Sequence, residues 1–133
     1  MHPKISKTPE QWAKELSPEQ FHVMREAGTE PAFSGKYYPH KAEGLYRCAG
    51  CGTPLFSSNT KFDSGTGWPS FWEALPEATA TTIDNRHGMR RVEVHCAACD
   101  AHLGHIFEDG PPPTGTRFCI NSLSLDFQET DSK

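Results

Sequence analysis

Two Cys-x-x-Cys pairs, at 48–51 and 96–99, constrain the fold of this chain more than any other feature of its sequence. Each pair can direct two thiolates at one ion, and two pairs complete a closed tetrahedral site. Gly50 and Gly52 are expected to help the first pair turn tightly around the ion. We therefore predict one structural zinc ion, held by the four paired cysteines: Cys48, Cys51, Cys96 and Cys99.

Three other uses of these cysteines are open from the sequence. Paired disulfides would suit an oxidising compartment but are disfavoured in the cytosol. A single redox-active pair normally accompanies a βαβ pattern, which neither pair clearly follows. A catalytic zinc ion bound by His102 or His105 would require one cysteine to leave the metal, although four thiolates already complete its usual geometry.

The fifth cysteine, Cys119, belongs to neither pair. If the segment around it is a strand, Arg117 and Asn121 project from the same face. A guanidinium near a thiol favours the thiolate, which is the reactive form, and the Asn121 amide can orient a neighbouring polar group. The pattern favours a nucleophilic cysteine, and the alternative is a small, buried apolar side chain.

Two further segments carry residues suited to a reactive site. His102 and His105 supply imidazoles, the usual proton donors near neutral pH, although either could be purely structural. Segment 65–72, Gly-Thr-Gly-Trp-Pro-Ser-Phe-Trp, combines residues that shape the backbone with three aromatic side chains. Such an aromatic wall beside a thiolate would suit an apolar group of a substrate, and a core aromatic cluster is the alternative.

The fold pattern indicates one loop-rich domain with short elements. With 133 residues, 11 glycines and 11 prolines, the chain can build one modest core, which needs a stabilising element in addition to its apolar packing. Segments 8–11 and 17–20 each carry a cap, a proline and a glutamine that begin a helix, and Gly28 can end the second helix. Strands are predicted at three segments, which are 45–48, 91–96 and 118–127. We expect a bend near 121–122, where the apolar phase slips, and a frayed tail over 128–133.

The charge balance narrows the classes of partner. A formal net charge of −4 and a pI of about 5.9 do not favour nucleic acid or an anionic membrane surface. No apolar run approaches the length of a membrane span, and the first six residues lack the apolar stretch of a secretory signal. We expect a cytoplasmic protein.

Five short motifs occur in order along the chain: Cys48-x-x-Cys51, Gly-Thr-Gly-Trp-Pro-Ser-Phe at 65–71, Cys96-x-x-Cys99, His102-Leu-Gly-His105 with Asp109-Gly110-Pro111, and Arg117-Phe-Cys-Ile-Asn121. Together they resemble the type B peptide methionine-R-sulfoxide reductases, over nearly the whole chain. The resemblance implies a mainly β fold, a small β-barrel-like domain of antiparallel sheets with short N-terminal helices, here a single domain over 8–130. It also implies reduction of the R epimer of methionine sulfoxide in proteins, which repairs an oxidative lesion.

The resemblance also implies roles for individual residues. Cys119 would attack the sulfoxide sulfur, the oxygen would be protonated and leave as water, and Cys119 would remain as a sulfenic acid. His102 and His105 would polarise or protonate the oxygen. Asn121 and Arg117 would help to orient and stabilise the reacting groups. The implied substrate contacts are Trp68, which would hold the methyl group, together with Phe71 and Ile106. The set of His102, Ile106 and Asn121 resembles the cysteine form of the family rather than the selenocysteine form.

The chain departs from many relatives at one position, where Thr66 replaces a resolving cysteine. No sixth cysteine exists to replace it, so thioredoxin, glutathione or a similar external thiol is expected to reduce the sulfenic acid directly. The expected protein is a monomer. Two rival interpretations remain open. The first is a binding module that zinc stabilises and in which Cys119 is inert. The second is a nucleic-acid-binding zinc ribbon, which the net charge disfavours.

Overall fold

The computed structural model describes residues 7–26, 28–85, 88 and 90–129, and within these ranges two helices precede nine strands. Helix α1 spans Pro9–Glu15 and α2 spans Pro18–Arg25. Both predicted capping boxes form: Gln11 N donates to Thr8 Oγ1 at 3.2 Å, and Gln20 N donates to Ser17 Oγ at 3.1 Å. Each such cap contributes about 1 kcal/mol to helix stability.

Helix α2 ends before the glycine that the sequence pattern favoured. Its last residue is Arg25, and Gly28 lies beyond it, where the Gly28 amide donates to His22 O at 3.0 Å. The helices pack over the cysteine pairs, because Trp12 and Met24 are buried beside Gly50, and Arg25 Nη1 donates to Cys99 O at 2.8 Å.

The strands form two antiparallel sheets, so the predicted mainly β fold is confirmed. Their strands are β1 Gly44–Cys48, β2 Pro54–Ser57, β3 Lys61–Phe62, β4 Ser70–Phe71, β5 Thr79–Asp84, β6 Arg91–Cys96, β7 His102–Phe107, β8 Arg117–Ile120 and β9 Leu125–Glu129. The three-stranded sheet has the order β2-β1-β9, and the six-stranded sheet has the order β3-β4-β8-β7-β6-β5. Within the described ranges neither sheet closes on itself, so the architecture is barrel-like only in a loose sense.

The strand predicted over 118–127 is two strands in different sheets. Strand β8 ends at Ile120, a 3₁₀ turn covers Ser122–Ser124, and β9 then joins the smaller sheet. The predicted bend is thus correct but larger than expected. Buried polar groups hold it: Asn121 Nδ2 donates to Leu103 O at 3.0 Å, and Ser124 Oγ donates to His102 O at 2.9 Å.

The end of the chain differs from the predicted frayed tail. Residues 128 and 129 belong to β9, where Gln128 pairs with Leu45 and Glu129 with Gly44. Residues 130–133 lie outside the described residues. That the chain is a single domain over 8–130 stays a prediction. None of the described helices has the length and apolar character required to cross a membrane.

Candidate active site and metal centre

The four paired cysteines converge, as the sequence predicted, on one metal-binding cluster. Their sulfur atoms all lie within 4.8 Å of one another, with Cys48–Cys99 and Cys51–Cys96 each 3.6 Å apart. Four sulfurs at the usual zinc–sulfur bond length in a tetrahedron are spaced by about 3.8 Å, so the cluster fits such an ion. Cys48 ends β1 and Cys96 ends β6, and the cluster therefore ties the two sheets together.

The two cysteine pairs turn in the same way. Gly52 N donates to Cys48 O, and Asp100 N donates to Cys96 O, both at 2.8 Å. The residue after each pair is left-handed, with φ of 81° at Gly52 and 66° at Asp100. Gly50 is not left-handed; its lack of a side chain matters because a Cβ there would lie 3.1 Å from the Trp12 ring.

The fifth cysteine lies on the wall of a different cavity, which has a volume of about 240 Å³. Arg117, Cys119 and Asn121 all line this Cys119 pocket, as expected for alternate residues of a strand. The β7–β8 register sets His105 opposite Cys119 and Phe107 opposite Arg117, and both β7 residues line the pocket as well. The antiparallel pairing thus brings an imidazole next to the thiol.

Burial dominates the ionisation of Cys119. It raises the pKa of the thiol, whereas the Arg117 charge and a hydrogen bond from Thr66 oppose it, and the Glu30 carboxylate adds to the rise. Arg117 is itself held by Asp109, through Nε–Oδ1 at 2.8 Å and Nη2–Oδ2 at 3.1 Å. The guanidinium thus favours the thiolate, as the sequence indicated, but burial outweighs it in the free protein.

Arg117→Gln is expected to raise the pKa of the Cys119 thiol further, because the substitution removes the main influence that opposes burial. Alkylation of Cys119 by iodoacetamide, followed against pH by mass spectrometry, should shift to higher pH and slow several-fold near neutrality. Arg91→Gln is the matched control, since Arg91 lines the same pocket but does not contribute to the shift at Cys119. An unchanged or faster reaction in Arg117→Gln would contradict this assignment.

Each of the two histidines contacts a buried or half-buried carboxylate. His105 Nε2 lies 2.8 Å from Asp84 Oδ2, and His102 Nδ1 lies 2.6 Å from Glu93 Oε2. The two rings are 5.5 Å apart. Residues three apart on a regular strand face opposite sides, but Leu103 is bulged from the β6–β7 ladder, so both rings reach the same side. Only His105 of the two lines the Cys119 pocket.

The sequence pattern does not identify two carboxylates of the site, Asp84 and Glu93. The alternation of 91–96 correctly predicted a half-buried strand, but its polar residues were not assigned to a site. In the structure Glu93 is opposite His105, and Asp84 on β5 is opposite Arg91. The signal that could have found them is a hairpin whose polar face pairs with a histidine-bearing strand.

The predicted substrate residues are divided by the structure. Trp68 lines the pocket, and its indole Nε1 donates to Glu30 O at 2.9 Å. Phe71 is fully buried and stacks on Phe56 at 4.3 Å, so it belongs to the core. Ile106 is one residue out of phase with His105 and packs against the core, outside the residues that line the pocket.

Glu30 is a further buried residue that sequence reasoning missed. Its side chain accepts from Leu123 N at 2.9 Å, its amide donates to Asn121 Oδ1 at 3.0 Å, and its carbonyl accepts from Trp68. One residue thereby positions two walls of the Cys119 pocket. An isolated glutamate in a loop gives no pattern that would have revealed this role.

Comparisons with known proteins show which family the chain is similar to. The family model described as the SelR domain matches residues 16–129. The chain is 61% identical over 126 residues, 94% of this chain and 96% of the relative, to "Peptide methionine sulfoxide reductase MsrB" of Thiobacillus denitrificans. Proteins of the same name from Pseudomonas putida, 58% identical over 96% of this chain and 97% of the relative, and Methanosarcina mazei, 54% identical over 96% and 92%, are also similar.

A solved structure shares the fold at low sequence identity. The crystal structure of the Mis18 'Yippee-like' domain superposes with a TM-score of 0.54 at 13% identity. It covers 68% of this chain and 99% of that domain. At this level of identity the likeness concerns the fold alone.

Proposed function

Since the chain belongs to the MsrB family of peptide methionine sulfoxide reductases, we propose that its Cys119 pocket reduces methionine-R-sulfoxide in peptides and proteins. The observation that carries the proposal is the β7–β8 register, which sets the one cysteine outside the metal cluster opposite an imidazole. Reduction of methionine sulfoxide needs a nucleophilic sulfur and a proton for the oxygen, and these two side chains can supply them.

In the proposed reaction the Cys119 thiolate attacks the sulfoxide sulfur while the oxygen receives a proton. In the net step the sulfoxide is reduced by two electrons to methionine, and the Cys119 thiol is oxidised to a sulfenic acid that carries one oxygen. His105 is the proton donor that the pocket geometry favours, and His102 lies behind it. Arg117 favours the thiolate, and Asn121 holds the end of β8.

We propose that the substrate methyl group lies against Trp68. The indole is fixed by its hydrogen bond to Glu30 O and lines the same cavity as Cys119, and Phe107 supplies a second aromatic wall. Phe71 would act on the substrate only through the backbone, because Ser70 beside it pairs with Cys119. Ile106 would act likewise, because it packs against the core and is the residue after His105 on β7.

We propose that an external thiol, such as thioredoxin or glutathione, regenerates Cys119. Two equivalents of thiol would return the sulfenic acid to a thiol, with release of water and formation of a disulfide. Support comes from Thr66, which hydrogen-bonds to Cys119 at the position where a resolving cysteine would act, and from the enclosure of the other four sulfurs in the cluster.

A Thr66→Cys variant is expected to change the first product of oxidation. In the absence of reductant, wild type should gain one oxygen after reaction with a sulfoxide peptide, whereas the variant should lose two hydrogens as a disulfide forms. Intact-mass spectrometry distinguishes the two, and Thr66→Ser is the control that adds no sulfur. A loss of two hydrogens within the wild-type monomer would contradict direct reduction by an external thiol.

The metal, location and oligomeric state complete the proposal. We propose zinc as the ion of the cluster because four cysteine sulfurs in a closed tetrahedral arrangement suit a structural zinc ion. The ion would hold the two sheets together and leave the redox step to Cys119. We also propose a cytoplasmic location, because a reducing compartment keeps cysteines available as metal ligands and as a nucleophile. We propose that the protein acts there as a monomer.

The proposed function is tested by turnover of separated epimers. A peptide that carries methionine-R-sulfoxide should be reduced to methionine in the presence of a thiol reductant, and the S epimer should remain. Chromatography of both peptides with the same enzyme preparation gives the ratio directly. Activity on the S epimer alone would contradict the assignment.

A further inference from the structure

The histidine at the Cys119 pocket is buried against a carboxylate that the reaction described above does not use. Asp84 ends β5, its side chain is 4% exposed, and its Oδ2 lies 2.8 Å from His105 Nε2. Burying a carboxylate is costly unless it is paired, and here Arg91 Nη2 lies 3.4 Å from the same oxygen. Asp84 thus contacts two residues that line the Cys119 pocket, Arg91 and His105.

The contact determines which nitrogen of His105 remains for chemistry. Nε2–H donates to the carboxylate, so neutral His105 carries its proton on Nε2. Nδ1 makes no hydrogen bond to any other described residue, and His105 lines the cavity that contains Cys119. A proton delivered to a bound sulfoxide would therefore leave from Nδ1, the nitrogen that Asp84 does not occupy.

The charges that face His105 come from each neighbouring strand. Asp84 lies on β5, Arg91 and Glu93 on β6 and Cys119 on β8, while His102 is on the same strand as His105. Glu93 directs its 2.6 Å contact to His102, so Asp84 is the carboxylate in direct contact with His105. The imidazolium carries a proton on each ring nitrogen, so this form can keep Nε2–H on Asp84 and donate from Nδ1.

We propose that Asp84 is a positioning residue for the reductase reaction. It holds His105 through Nε2 and leaves Nδ1 available to the sulfoxide oxygen. This inference rests on the proposed function, because it assigns the source of a proton in that reaction. Asp84 touches no substrate itself, and its effect passes through the imidazole.

Asp84→Asn tests the proposal while it keeps the size of the side chain. The single-turnover rate of Cys119 oxidation by a methionine-R-sulfoxide peptide should fall by about tenfold or more, with KM changed little. Long-range ¹H–¹⁵N NMR should show the Nε2–H tautomer of His105 in wild type. Asp126→Asn, an exposed carboxylate of the other sheet, is the matched control and should match wild type.

A double-mutant cycle separates positioning from a structural role. Asp84→Asn added to His105→Gln should lower the rate by less than about twofold, because its effect requires the imidazole. Equal losses in both backgrounds, a wild-type rate in Asp84→Asn, or the Nδ1–H tautomer in wild type would overturn the inference. Asp84→Glu, which restores a carboxylate, should recover part of the rate. This variant still tests the proposal if Asp84→Asn folds poorly. An inactive wild type would instead refute the proposed function.

Discussion

Cys119→Ser is expected to abolish reduction of methionine-R-sulfoxide while it leaves the fold and the metal content unchanged. A serine hydroxyl occupies nearly the same space on β8 but cannot attack the sulfoxide sulfur as a thiolate does, and it cannot hold the oxygen as a sulfenic acid. Turnover should fall by more than about 10³-fold, as is typical when a nucleophile is removed. The measurement is peptide turnover with excess thiol reductant.

Two controls on the same variant show whether its loss of activity reflects the missing sulfur alone. Its metal content should equal that of wild type, because Cys119 lies outside the cluster of four sulfurs. Its thermal unfolding should also match, since Cys119 is only half-buried at the pocket wall. Substantial reductase activity in a folded, metal-containing Cys119→Ser protein would contradict the role assigned to this sulfur.

Cys99→Ser is expected to release the metal and to destabilise the fold strongly. Cys99 is buried, its sulfur lies 3.6 Å from Cys48, and its carbonyl accepts a hydrogen bond from Arg25 of α2. Metal binding by such a cluster contributes directly to folding, so removal of one ligand should lower the melting temperature by more than about 10 °C. Elemental analysis and circular dichroism give the two readouts.

Chelation of the wild-type metal should reproduce this destabilisation without any substitution. Incubation with a strong chelator is expected to lower the melting temperature, and added zinc should restore it. Cys119→Ser serves as the matched control, because it removes a sulfur from the same chain but not from the cluster. A Cys99→Ser protein that is free of metal and melts at the wild-type temperature would contradict a structural role for the ion.

The metal cluster and the helix starts could be predicted from sequence because their signals are local. The spacing of a Cys-x-x-Cys turn alone brings two sulfurs close enough to bind one ion. Two such pairs supply the four ligands of a single tetrahedral site. The caps at Thr8 and Ser17 likewise act within one turn of helix. The common face of Arg117 and Cys119 follows from the period of a strand.

The carboxylates behind the histidines could not be predicted because they depend on strand register. Asp84 reaches His105 only through the β5–β6 and β6–β7 pairings, and the bulge at Leu103 sets the side on which His102 lies. Register is a property of two distant segments, and a one-residue slip reverses every side chain. For the same reason the sequence motif grouped Trp68 with Phe71, although one lines the pocket and the other lies in the core.

The ionisation of Cys119 shows a second limit of sequence reasoning. The neighbouring Arg117 is visible in the sequence and does favour the thiolate. Burial has the larger effect and depends on how the loop that carries Thr66 and the strands enclose the sulfur. Resting Cys119 is therefore expected to be mainly a thiol at neutral pH, so slow alkylation of the free protein is compatible with catalysis.

The most direct test of the division between one reactive sulfur and four metal-bound sulfurs is a single turnover without reductant. Wild-type protein is mixed with a methionine-R-sulfoxide peptide, the sulfenic acid is trapped with dimedone, and the adduct is mapped by mass spectrometry beside a metal assay. The adduct should lie on Cys119 alone, with one metal ion retained per chain. An adduct or disulfide at any of the paired cysteines, accompanied by loss of metal, would contradict this account.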